Sequence, residues 1–161
     1  MPESPSWLPE IIKLEDYGGD WGRFIESIYQ CFRTDFVDNT AFFQSLRVAI
    51  QREPMLNGKE ETFWHIVTCE DENKCRYPDL RRCERIRWPK AILDNFSDKH
   101  IKIWETVRGR DKRTTIWFEP LDYVVILSNK RNYYLLITAY CVTNKSKRAK
   151  LKKEYERSLK G

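Results

Sequence analysis

Residues 100–142 read HIKIWETVRGRDKRTTIWFEPLDYVVILSNKRNYYLLITAYCV, and this stretch decides the fold class. Four runs rich in β-branched and aromatic residues, 101–108, 113–118, 122–128 and 132–142, are separated by Gly109-Arg110-Asp111, Pro120 and Ser128-Asn129-Lys130-Arg131. Such side chains suit a pleated, half-buried surface, and the breaks between them are turn formers. Parallel neighbours need a crossover of a dozen or more residues, so connections this short predict a four-stranded antiparallel meander.

Upstream of residue 100 the texture is helical. Asp20 is placed to cap a helix in which Phe24, Ile25, Ile28, Tyr29 and Phe32 recur at three- and four-residue spacing, out to about Phe36. Ala41 to Ile50 alternates and reads as one strand, and a loop through Asn57-Gly58 follows. Lys59 to about Thr68 reads as a short helix ended by the polar stretch Glu70 to Lys74. Asp79 opens another helix with Leu80, Cys83 and Ile86 on one face; Trp88-Pro89 interrupts it, and Ala91 to Phe96 adds a further turn. The expected architecture is α+β: N-terminal helices packed on a four-stranded antiparallel meander, followed by a basic C-terminal helix.

The length of 161 residues fits one domain. Residues 1–19, with Pro2, Pro5, Pro9 and Gly18-Gly19, read as an arm that tucks Trp7, Leu8, Ile11 and Ile12 against it. Residues 20–143 form the domain and 144–161 the basic helix. Between Asn144 and Gly161 eight basic residues face two acidic ones, which accounts for the net charge of +5 and leaves the rest near neutral. Such a run suits a polyanion, and equally a solvated helix face. Five cysteines form an odd set without a compact framework, no secretory leader is visible, and no apolar run approaches the roughly 20 residues of a membrane span. These features point to a cytoplasmic, reduced protein without membrane association.

Chemistry-bearing residues are few. Of two histidines, His65 sits at the flank of the Phe63, Ile66, Val67 side of its helix, where an imidazole can either move protons or bond a backbone carbonyl. His100 falls in a polar stretch at the start of a strand. Arg81, Arg82 and Arg85 make the densest basic patch of the body; Arg81 and Arg85 lie one turn apart, as an anion clamp or as partners of Glu84 and Asp79. In the last strand the period of two puts Tyr134, Leu136, Thr138 and Tyr140 on one face, with hydroxyls at its end. Lys102, Trp104 and Thr106 share a face of the first meander strand. His65, Cys69, Cys75 and Cys83 have spacings unlike those of zinc fingers, and P-loop, GxSxG and HExxH motifs are absent. No metal or cofactor is expected.

The order of these pieces, a Phe-Trp-His helix, the arginine-rich stretch Arg81 to Ile86 running into Trp88, a meander, and a final strand with Thr138-Ala139-Tyr140, resembles the Barnase/EndoU/colicin/RelE group of ribonuclease toxins, particularly its phage-associated branch. The likeness spans roughly residues 59 to 142. It implies a metal-independent endoribonuclease with His65 as the acid/base, one or more of Arg81, Arg82 and Arg85 as phosphate ligands, and Thr138 with Tyr140 as polar partners of the scissile nucleotide. With the strand-face reading added, the expected catalytic residues are His65, Arg82, Arg85, Thr138 and Tyr140, and the expected substrate-binding residues Arg81, Lys102 and Trp104. The implied chemistry is attack of a ribose 2′-hydroxyl on the adjacent phosphate, giving a 2′,3′-cyclic phosphate. RNA is the implied partner, with a cognate antitoxin or inhibitor where the protein is the toxin of a toxin–antitoxin pair. A second histidine found in some members of the group has no counterpart here. A non-catalytic RNA-binding or protein-interaction module on the same scaffold is the alternative expectation.

Overall fold

The computed structural model describes residues 4–160. Helix α1, Trp21–Phe36, starts at Asp20, whose carboxylate accepts the Arg23 amide at 3.2 Å. It turns Phe24, Ile28, Tyr29, Phe32 and Phe36 into the interior, the face that their spacing dictates. Ahead of it, Leu8 is buried, the Trp7 indole donates to Asp98 at 3.0 Å, and the Trp88 indole donates to the Pro9 carbonyl at 2.9 Å. The arm is thereby clipped to the domain.

The single strand expected over 41–50 is instead a hairpin, β1 (Ala41–Phe43) and β2 (Leu46–Ala49). Gln44 and Ser45 take positive φ, 48° and 72°, and make the two-residue turn. Helix α2, Glu61–Val67, leads into a small hairpin of β3 (Thr68–Glu70) and β4 (Arg76–Pro78), where the sequence suggested only a polar loop. Helix α3, Leu80–Glu84, is capped by Asp79, and α4 covers Trp88–Asp94. The helix that Asp79 opens is interrupted as expected, but at residues 85–87; Pro89 sits in the first turn of α4, where its missing amide costs nothing, so Trp88-Pro89 begins the next helix.

Strands β5 (Ile101–Arg108), β6 (Asp111–Phe118), β7 (Tyr123–Asn129) and β8 (Tyr134–Cys141) pair antiparallel in order. The sheet does not stop at four strands. β2 lies parallel to β8, pairing Val48 with Tyr134 and Ala49 with Leu135, so the whole is a six-stranded mixed sheet in the order β1-β2-β8-β7-β6-β5. The short-connection rule governs neighbours in sequence and is silent about a partner most of the chain away. Helix α5, Lys145–Lys160, follows.

Both faces of the sheet are covered. Ile116, Phe118, Tyr123, Val125, Leu127, Leu136 and Ala139 join the side chains of α1 to α4 in the main core. Trp104, Trp117 and Val124 face the other way and pack under Leu151 and Tyr155 of α5. A β-bulge changes which residues share a side: Leu136 pairs with Leu127 and Thr138 with Ile126, leaving Ile137 as the extra residue. The expected common face of Tyr134, Leu136, Thr138 and Tyr140 is therefore split at Ile137. Tyr134 and Leu136 join the main core, while Tyr140 packs with the cluster under α5. By register, Tyr140, Val124, Trp117 and Lys102 form one row across the sheet.

Asp35, half-buried on α1, lies within the influence of Arg87, Lys90 and Asp94. Burial is the main cause that lifts its carboxyl from an ordinary 3.8 to about 6; Asp94 adds to the rise, and Lys90 and Arg87 oppose it. A carboxyl whose folded pKa is raised binds more protons folded than unfolded between these values, so stability falls as pH climbs through that window. Asp35→Asn is expected to remove this fall. Urea unfolding should show the variant gaining about 1 kcal/mol on wild type between pH 4 and pH 7, after solvent screening is allowed for.

Candidate functional site

The C-terminal end of α2 is where the separated stretches meet. A short helix leaves its last carbonyls without intrahelical partners. Here the His65 carbonyl accepts from the Thr138 hydroxyl at 3.0 Å, from Arg82 Nη1 at 3.2 Å and from Arg76 Nη2 at 3.4 Å. Arg82 Nη1 also reaches the Thr68 carbonyl at 2.6 Å, and Arg76 Nη2 reaches it at 2.8 Å. Two guanidinium groups thus sit at the negative end of the helix, the favourable side of its dipole. Arg82 further lies 5.7 Å from the Tyr140 ring centroid.

The side chain of His65 points into a recess of about 250 Å³ formed with Gln51, Glu61, Thr62 and residues 135–137 of β8. Its Nε2 is 3.1 Å from Glu61 Oε1, one helical turn back, and the imidazole is 41% exposed. A carboxylate in this position orients an imidazole. Tyr140 lines a different recess, of about 290 Å³, with Arg82, Arg108 and the α5 residues Lys147, Lys150, Leu151 and Glu154. Burial, with the Glu154 carboxylate adding, pushes the Tyr140 phenol above its ordinary value, while Arg82 and Arg108 pull it down. The phenol is accordingly a proton donor at neutral pH. Thr138 stands between the two recesses on β8.

The remaining candidates are placed elsewhere. Arg85 Nη1 bonds the Arg81 carbonyl at 3.1 Å and Glu84 at 3.3 Å, and its guanidinium lies 5.1 Å from the Trp88 ring. Arg81 is exposed. Lys102 is bound to Glu119 at 2.7 Å with the Tyr155 and Trp117 rings within 5.4 Å, and Trp104 is only 4% exposed between Trp117 and Tyr155. Lys102 and Trp104 therefore pack α5 to the sheet and line neither the His65 recess nor the Tyr140 recess. His100 bonds Asp98 at 3.1 Å in the exposed turn before β5.

Among the described residues no three His, Cys, Asp or Glu side chains come together as a metal-ligand group, and all five cysteines are free. Cys83 is buried, and its thiol, pushed up to about 12 by burial, donates to the Val67 carbonyl. No helix of the described residues is long and apolar enough to cross a membrane. Comparison with known families, curated proteins and solved structures finds no match.

Sequence reasoning missed Arg76, Arg108, Lys147 and Lys150 as individual contributors. Arg76 was concealed because β4 was not recognised; once Cys69 is paired with Tyr77 and Glu70 with Arg76, that arginine falls beside the end of α2. Positions 147, 150, 151 and 154, which border the recess, have the spacing of one helix face, but a single buried residue on α5, Leu151, makes too weak a stripe to orient the helix from sequence.

Arg82→Met should destabilise the protein by about 2 kcal/mol, since it leaves two carbonyls short of a charged donor. Arg82→Lys should recover little, because an ammonium lacks the fork that spans both. Arg81→Ala, at an exposed position, should shift denaturant unfolding by no more than about 0.5 kcal/mol.

Proposed function

We propose that this protein is a metal-independent endoribonuclease of the cytoplasm. One observation carries the reading: the carbonyl of His65 is held by the Thr138 hydroxyl and by the Arg82 guanidinium, which also lies by the Tyr140 ring, so residues 65, 82 and 140 from three distant stretches are gathered beside one strand, β8. His65, oriented by Glu61, moves the proton of the attacking 2′-hydroxyl; Tyr140, in the recess on the other side of Thr138, is assigned the role of proton donor. Cleavage proceeds by attack of the 2′-oxygen on phosphorus and departure of the 5′-oxygen, which takes up a proton, and leaves a 2′,3′-cyclic phosphate. At the scissile phosphate Arg82 and Thr138 act as positioning residues, because their hydrogen bonds fix the end of α2. Arg85 contributes through its packing on Trp88. If the activity is that of a toxin, a cognate inhibitor would cover this strand.

A second reading, a non-catalytic RNA-binding module, is favoured by the separation of His65 and Tyr140 into two recesses. One comparison divides the two. His65→Ala should lower the cleavage rate of single-stranded RNA by about 10² to 10⁴ with RNA affinity retained, as for loss of a general acid or base. Cleavage by the wild-type protein should persist in EDTA and yield 2′,3′-cyclic ends. Transfer, ribosomal and messenger RNA all left intact by the wild-type protein would leave the binding module standing.

A further inference from the structure

Cations on a folded surface are usually matched or spread apart. On the α5 side of the sheet Arg148 pairs with Asp122 at 3.1 Å and Glu119 at 3.3 Å, and Lys102 takes the other Glu119 oxygen at 2.7 Å. Other cations there are unpaired among the described residues, and some of them converge. Arg108, Lys147 and Lys150 make no ion pair among the described residues, yet β5 and α5 bring them to one recess with Arg82 from α3 and Tyr140 from β8. Glu154 is the sole carboxylate lining it. Lys147 and Lys150 are one turn apart on the exposed side of α5 that borders the recess, beside the buried Leu151, where like charges repel. Arg82 spends Nη1 on the end of α2, and its Nη2 makes no hydrogen bond among the described residues.

We infer that this recess is a phosphodiester subsite, in which an RNA backbone phosphate lies among Arg108, Lys147, Lys150 and the free edge of Arg82, with the neighbouring base against the Tyr140 ring. A phosphate offers several acceptor oxygens and a negative charge to donors arriving from three elements. The recess, about 290 Å³, holds a phosphate with its adjoining sugar, and a phenol face receives any base. Because the recess adjoins that of His65 across Thr138, the phosphate held here is a neighbour of the one cut, and α5 belongs to the substrate site. The inference rests on the RNA reading above and deepens it; cleavage itself is not needed for the subsite to exist.

The test uses the full-length protein and a fluorescent single-stranded 2′-O-methyl oligoribonucleotide, whose blocked 2′-oxygen prevents cleavage. Arg108→Ala/Lys147→Ala/Lys150→Ala is compared with Lys152→Ala/Lys153→Ala/Arg157→Ala, which removes the same number of charges from α5 positions that do not line the recess. Circular dichroism and unfolding midpoints of both triples are matched to wild type first. The pocket triple should bind roughly ten- to a hundredfold more weakly, the worth of a charge-assisted hydrogen bond. Its salt dependence should flatten by about 0.7 in log–log slope for each phosphate that is no longer neutralised. Glu154→Gln should tighten binding. Equal losses in both triples, no loss in either, or no binding by the wild-type protein would overturn the subsite. Failure of the nuclease reading shows differently, as natural RNA left uncut while this pattern of binding persists.

Discussion

The terminal carbonyls of α2 are the constraint around which the rest is arranged. A seven-residue helix cannot stand on its own, and its C-terminus is buried beside β8, where unpaired carbonyls would be costly. The molecule answers with donors from three other elements: Arg76 from β4, Arg82 from α3 and Thr138 from β8. These bonds fix the small hairpin and α3 to the sheet and give α2 its orientation. The direction of the His65 side chain is thus a by-product of how its own backbone is held.

That arrangement explains a reversal of roles. Arginines beside a candidate histidine invite the reading of an anion clamp, yet their first task here is to satisfy protein carbonyls. Arg85 and Glu84 likewise satisfy one another. The cations gathered at the recess come from the turn end of β5 and the exposed side of α5 that borders it, regions whose sequence reads as ordinary solvated surface. Which charges remain unmatched is a property of the folded arrangement, and composition alone cannot supply it.

Legibility followed the range of the interactions involved. α1 was plain because its apolar stripe and the Asp20 cap are local, and the four runs after residue 100 were plain because turn residues separate them. The β1–β2 hairpin was hidden because Gln44 and Ser45 are not the usual turn pair, and β2 with β8 because nothing local announces a parallel partner. The Thr138/Tyr140 pair was correctly placed on one face, but Leu136 was not, since a bulge is a property of two strands and not of one. His65 was found at a helix flank as its spacing suggested; that its carbonyl and not its ring would meet Thr138 depends on packing that no periodicity encodes.

The pairing of β2 with β8 also bears on how the chain matures. Val48 and Tyr134 become neighbours only after most of the intervening chain has been made, and the donors for the end of α2 include Thr138, later still. A nascent chain leaving the ribosome carries α1 and the first hairpin long before it has the strand that completes them. The residues that line the two recesses are consequently spread along the chain and can come together only once β8 has been made.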